Sequence, residues 1–519
     1  MLKSAETLLR IGLALSLSLA MFGCSLSPAG GYSSQNSNGS EAQQSDIVIS
    51  GSTPGVTPFI ASVQLTGQSA RNVGSVAFTI APKPNTVSSP VNVTWTRAAL
   101  AAGGHIQTNS INLPVFGLYD GYQNEVTLRL KFPDGSVQRL QDPITTEPYS
   151  DPTGVYSNPT ILKARAPGYR LGFSFFILKS QLGSPVIVDT DGELRWVVPA
   201  IPTFAVHFSN GQFLSGSGDS PILSQLSLDG TGSALPTALP QPLMQAFTHN
   251  IDPGSSPASV LAEFTGIDDF GSSIGDIVAE ISPTANPAVI QTFDLANILT
   301  SYMQKNGDDP SAFVRPGTDW FHINASVYDP GDNSVIVSSR ENFLIKIDYQ
   351  TKDVIWIFGD PTKYWYTFPS LRAKALALDA GGDYPVGQHA VSITSQGYVM
   401  VFNDGLGSEN QPSGEPAGIT RTYSEVNAYA VNSAAMTAHQ VWSFDYGQSI
   451  YSPICGSIYE APRKTYLIDF ATAANFEQAR LVGLDSNHNV VFDFQYQSPE
   501  PCSAAWNAIE INLDNMEIN

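Results

Sequence analysis

Three of the seven histidines in this chain open comparable stretches. His249 begins His-Asn-Ile-Asp-Pro-Gly and leads into Val-Leu-Ala-Glu-Phe at 260–264. His322 begins His-Ile-Asn-Ala-Ser-Val-Tyr and leads into Val-Ile-Val-Ser-Ser-Arg, which ends at Arg340. His389 begins His-Ala-Val-Ser-Ile and leads into Tyr-Val-Met-Val-Phe at 398–402. A neutral imidazole is both nucleophile and proton carrier near ambient pH. One histidine alone is more often a satisfied core or surface residue. Three at the same place in successive units point to a shared site. Arg340 ends an apolar run, in a chain with only 25 Lys plus Arg. Its planar fork of donors suits a tetrahedral oxyanion, and a salt bridge to Glu341 or Asp319 is the competing reading. Asn324 follows His322 by two residues, so on a strand it shares that face and can donate to the same anion.

Such residues need a scaffold that repeats. A hairpin with a polar turn and an aromatic end recurs at 186–196 (VIVDTDGELRW), 345–356 (IKIDYQTKDVIW) and 481–492 (LVGLDSNHNVVF). Looser copies lie at 223–234, 277–293 and 429–444. Other hairpins, such as 325–338 and 391–402, fall between them, and two hairpins make a four-stranded blade. The expectation is a six-bladed β-propeller over 148–519, with about 60 residues per blade and insertions. Short helices are expected at 295–305 and 371–379. In a propeller the inner strands surround the axis, so the three histidines converge on one channel mouth.

Upstream, residues 59–65, 76–80, 91–95 and 126–132 alternate apolar and polar with period two. That pattern predicts half-buried strands, and about one hundred residues of them over 47–147 predict a small Ig-like β-sandwich. The fold class is all-β. Residues 25–46 are rich in Ser, Gly, Asn and Gln and read as a flexible linker.

The first 24 residues read as a signal peptide, with Lys3 and Arg10 before an apolar run at 11–22 too short to span a bilayer. It ends at Met-Phe-Gly-Cys24, a lipobox-like sequence in which Phe22 is bulky where a small residue is usual. The expected location is the exterior: a periplasmic protein, or an outer-membrane lipoprotein tethered through Cys24. Cys455 and Cys502 are the two other cysteines. An oxidising compartment lets them pair, closing a loop of about 47 residues worth roughly 4 kcal/mol in the chain-entropy model. A net charge of −21, with no Lys/Arg cluster to reverse it locally, excludes nucleic acid as a partner. The sequence leaves a homodimer open.

Asp319-Trp-Phe-His-Ile-Asn324, Asp329-Pro330, Val335 to Arg340, Ile345 to Tyr349 and Trp356-Ile-Phe-Gly-Asp-Pro361 together resemble the bacterial arylsulfate sulfotransferase family. Gln388-His389-Ala390-Val391, Phe402-Asn-Asp-Gly405 and the run from Leu113 to Thr127 extend the resemblance over both domains. It implies transfer of a sulfuryl group from phenolic sulfate esters to phenol acceptors, with a ping-pong course. On this resemblance His389 matches the nucleophile, and His322, Asn324, Arg340 and His249 match residues around the sulfate. The family often has His-His-Asp where this chain has Thr248-His249-Asn250. No cofactor or nucleotide sulfate donor is implied, and no phosphate-cradling glycine loop is evident in the sequence. Trp320, Trp365 and Tyr366 are candidates to flank a phenyl ring, with core packing as the alternative.

Three other readings compete. A non-catalytic exported propeller that binds a ligand or partner shares the fold. Three histidines can hold zinc, yet Arg340 beside them disfavours a cation and no short metal-ligand spacing is present, so none is read as a metal ligand. A quinone-dependent dehydrogenase needs more blades than this chain can supply.

Overall fold

The structure, a computed structural model, describes residues 45–199, 205–235, 239, 244–268, 271–284, 287–315 and 317–519. The expected signal peptide with Cys24, and nearly all of the expected linker, lie outside the described residues.

The alternating runs near the N-terminus form strands because one face can be buried. Along Ser75–Ile80 every second residue is buried, and Val91–Thr96 and Gln123–Lys131 repeat the pattern. One sheet pairs Val48–Pro54, Ile60–Thr66, Ser110–Phe116 and Ile106–Gln107. The facing sheet orders Met516–Ile518, Val91–Thr96, Ser75–Ile80, Gln123–Lys131 and Val137–Thr145. The first strand of this second sheet is the end of the chain. It runs parallel to the strand at 91–96, with Ile518 opposite Trp95, so the division at residue 148 is not a clean cut.

Among the described residues of the remaining chain, six sheets follow in meander order, antiparallel except where Ala377–Leu378 runs parallel to Thr437–Phe444. Each of the six hairpins read from the sequence supplies the third and fourth strands of one sheet, counted from the inside. The inner strands are Asn507–Ile511, Ala205–Ser209, Ala246–Pro253, Ile323–Asp329, Gln388–Ile393 and Ser457–Ala461, and successive ones from Ala205–Ser209 to Asn507–Ile511 lie side by side. The architecture is a β-propeller. Two distant pairings close it. Asn507–Ile511 adds the inner strand beside Phe175–Lys179, and Thr160–Lys163 adds an outer strand beside Val490–Gln497. Each closure pairs backbone amides of Phe175–Lys179 or Val490–Gln497 that would otherwise lie unpaired at a sheet edge. The disulfide between Cys455 and Cys502 ties the loop before Ser457–Ala461 to the loop before Asn507–Ile511.

A helix forms at Leu295–Lys305, capped by the Asp294 carboxylate on the Asn297 amide at 2.9 Å. Of the helix expected over 371–379 only a single helical turn forms, at Pro369–Arg372, and a two-residue strand, Ala377–Leu378, follows it. The Leu376 amide donates to the Ile357 carbonyl at 2.8 Å, and the strand then joins Thr437–Phe444. An open sheet edge outcompetes helix propensity there.

Candidate active site

His249 lies within the inner strand Ala246–Pro253, His322 just before Ile323–Asp329 and His389 at the second residue of Gln388–Ile393, and each strand is irregular there. Strand register slips between Phe247 and Ile251, between Ile323 and Ala325, and between His389 and Ser392. Such bulges re-aim side chains out of the regular up-down alternation. His322 has a φ of 53° and Ala390 a φ of 50°, both left-handed. The result is convergence: one ring nitrogen from each of His249, His322 and His389 lies within 4.8 Å of the others. The His249 ring sits edge-on to His322, with centroids 4.9 Å apart.

Each ring has its own setting. His322 Nδ1 lies 2.5 Å from the Asp319 carboxylate. The Nδ1 of His389 faces the Gly387 carbonyl at 3.1 Å, and Asp404 Oδ2 is closer, at 2.7 Å, but off the N–H line. Asp404 therefore acts on the ring mainly as a charge. With Nδ1 so engaged, the lone pair of His389 is left on Nε2. Burial pushes the Asp404 carboxyl up to about 6, against the pull of His389 and Arg340. Burial, then the neighbouring His322, His389 and Arg340, hold His249 well below the usual imidazole range. His249 is thus a neutral ring beside two others. Trp506 closes its other side, edge-on at 6.4 Å.

Arg340 follows the strand Ser334–Ser339, and its backbone amide donates to the His322 carbonyl at 3.0 Å. That bond explains why two residues eighteen apart meet. The guanidinium is almost fully buried, with Nη1 2.5 Å from Glu341 and Nη2 2.9 Å from Glu409. Asn324 is also buried, and its amide donates to the Gln388 carbonyl at 2.7 Å. Asn250 continues the chain of amides: it donates to the Asn324 carbonyl at 3.0 Å and accepts from Lys179 at 3.0 Å. These amides lock together the inner strands that carry the three rings.

The structure thus brings His249, His322, His389, Arg340 and Asn324 into one neighbourhood. Trp320 and Trp365 are packed in the hydrophobic core, 1% exposed each, which leaves them no face for a phenyl ring. Three nearby residues escaped the sequence reading. Asp404 lay within a recognised motif, Phe402-Asn-Asp-Gly405, and only its partner was missing. Glu409 and Trp506 sit in irregular segments with no periodic signal. The same three rings form, among the described residues, the one cluster with metal-ligand spacing.

The family described as Arylsulfotransferase (ASST) matches residues 162–507, and the Arylsulfotransferase Ig-like domain matches 54–147. A protein named Arylsulfate sulfotransferase AssT from Escherichia coli O6:H1 is 34% identical over 172 residues, 29% of this chain and 28% of that protein. Its namesake from Lelliottia amnigena is 30% identical over 166 residues, 28% of this chain and 27% of that protein. The alignments therefore span little more than a quarter of either relative's length. Among solved structures, the β-propeller domain of Cps50 (Swd1) from Myceliophteria thermophila is 11% identical with a TM-score of 0.33, covering 66% of this chain and 90% of that one.

Proposed function

The chain belongs to the arylsulfotransferase family, and from that premise we propose that it moves a sulfuryl group from a phenolic sulfate ester to a phenol through a sulfohistidine at His389. The observation that carries the proposal is the His389 ring, with Nδ1 engaged and Nε2 left free, beside two histidines and a buried arginine.

Sulfuryl transfer, like phosphoryl transfer, is a loose in-line displacement with charge on the equatorial oxygens. The Nε2 lone pair attacks sulfur, an N–S bond forms, and the S–O bond to the aryl group breaks with its electron pair leaving on the phenolate. Arg340 and the neutral His249 stabilise the equatorial oxygens. His322, steadied by Asp319, donates a proton to the departing phenolate. In the second half the acceptor phenol returns a proton to His322 as its oxygen attacks sulfur and the N–S bond breaks. Protons and charge balance over the cycle.

The test is the mass of the intact protein after brief mixing with an aryl sulfate and no acceptor. Wild type should gain one sulfuryl group, and His389→Ala none. Phenol release without an adduct would replace the covalent route with direct transfer. A His389→Ala protein that still binds the aryl sulfate, from a wild type that never cleaves it, would favour the binding-module reading. The histidine spacing also favours a second reading, a metal centre on His249, His322 and His389. Stoichiometric metal in the purified protein, and activity lost to a chelator, would select it. Export belongs to our reading as well: the Cys455–Cys502 bond supports an oxidising compartment. Mass analysis of the mature N-terminus tests acylation at Cys24.

A further inference from the structure

We propose that Glu409 is a specificity-determining residue: its carboxylate occupies the outer nitrogen of Arg340, and an anionic donor enters by displacing it. The donor's identity rests on the sulfuryl-transfer reading; the competition at Arg340 rests on geometry alone.

Arg340 holds two carboxylates of opposite character. Glu341 is fully buried. Its Oε1 meets Arg340 Nη1, while its Oε2 accepts the amides of Glu409 at 2.9 Å and Asn410 at 2.8 Å. Its carbonyl accepts Lys363 Nζ at 3.1 Å and the Ser408 hydroxyl. Both carboxylate oxygens are committed, so Glu341 cannot leave without stranding a buried guanidinium. Glu409 differs. Its backbone is pinned by Glu341, but its side chain is 59% exposed and reaches Arg340 Nη2 from the solvent side at 2.9 Å. Rotation about its side-chain bonds moves the carboxylate into water it already meets.

The charges favour exchange. Arg340 and Glu341 sum to zero, and Glu409 adds one negative charge. A sulfate monoester also carries one negative charge, so replacing the carboxylate leaves the local charge unchanged. The sulfuryl oxygens can in addition meet His249 and His322, whereas the Glu409 carboxylate, reaching in from the solvent side, pairs with Arg340 Nη2. Donor affinity is then a difference between two anions competing for one guanidinium. An anion that cannot use more than the one nitrogen gains nothing over Glu409 and is kept out.

Isothermal titration of the mature protein with methyl sulfate, a monoanionic sulfate ester, tests this on wild type, Glu409→Gln and Glu409→Ala. Loss of a part-exposed competitor should tighten methyl sulfate binding about three- to fivefold in both variants, and the KM for an aryl sulfate should fall by the same factor. Adding Arg340→Lys to Glu409→Gln removes the planar fork and should reverse the gain. Methyl sulfate affinity that is unchanged or weaker in both variants overturns the proposal, as does no methyl sulfate binding in any of them. Unchanged methyl sulfate affinity with slowed acceptor turnover would make Glu409 a proton acceptor instead, and overturns it too. If wild type cleaves no aryl sulfate, the transfer reading fails, and the titration still decides whether Glu409 guards Arg340.

Discussion

Asp404→Asn should slow formation of the covalent intermediate by about two powers of ten. The carboxylate lies 2.7 Å from the Nδ1 of His389. As Nε2 bonds to sulfur, the ring gains positive charge. At an effective dielectric of about 20, a full charge at that distance is attracted by about 6 kcal/mol. Roughly half a charge develops in the transition state, leaving about 3 kcal/mol, or about a hundredfold in rate. The substitution is isosteric, and the Gly387 carbonyl still accepts the ring hydrogen, so the tautomer is kept and the loss reports charge. The pH profile gives an independent check. Burial pushes the Asp404 carboxyl up to about 6. Below that pH it is protonated and neutral, so the wild-type rate should fall as pH drops through about 6, and the Asn variant should lack that limb. The assay is single-turnover release of a chromogenic phenol by stopped flow from pH 5 to 8. A variant within about threefold of wild type would refute the electrostatic reasoning. A limb near 6 that survives in the variant would assign it to another group and remove Asp404 from this role.

Asp469 is fully buried and neither carboxylate oxygen has a hydrogen-bond partner among the described residues, so burial raises it well above the usual carboxylate range. A folded-state value above the unfolded one makes ionisation a cost that appears as pH rises past the unfolded value. Asp469→Asn should therefore match wild type near pH 4 and exceed its stability by about 1–3 kcal/mol near pH 8, read from melting curves at both. Cys502→Ser opens a loop of 47 residues and should cost roughly 4 kcal/mol, seen as a lower Tm that reductant reproduces in wild type. Truncation after Asp514 removes the strand Met516–Ile518, which pairs beside Val91–Thr96 and buries Ile518. Urea unfolding should show a loss of about 2 kcal/mol, and an unchanged midpoint would mean the strand adds nothing to the sandwich.

The sequence by itself determined the local content of this protein. Period-two alternation marked the sandwich strands, and repeated polar-turn hairpins marked the third and fourth strands of the six described propeller sheets, because a strand with one buried face must alternate. The equal placement of His249, His322 and His389 within their units was legible for the same reason. The helix expected at 371–379 is confined to one turn at Pro369–Arg372, because beyond it the backbone groups meet an open sheet edge, which no local pattern reveals. Tertiary structure alone decided the rest. Asn507–Ile511 and Phe175–Lys179 close a sheet across more than three hundred residues of chain, and nothing local records that pairing. Bulges at three inner strands set where the histidine rings point, and a one-residue change of register turns a side chain to the opposite face. Asp404, Glu409 and Trp506 came into place through loops, whose course follows from what they pack against and not from any period of their own. The chemistry of the site was written in residue types; its geometry came from the ring of inner strands that brings them within reach of one another.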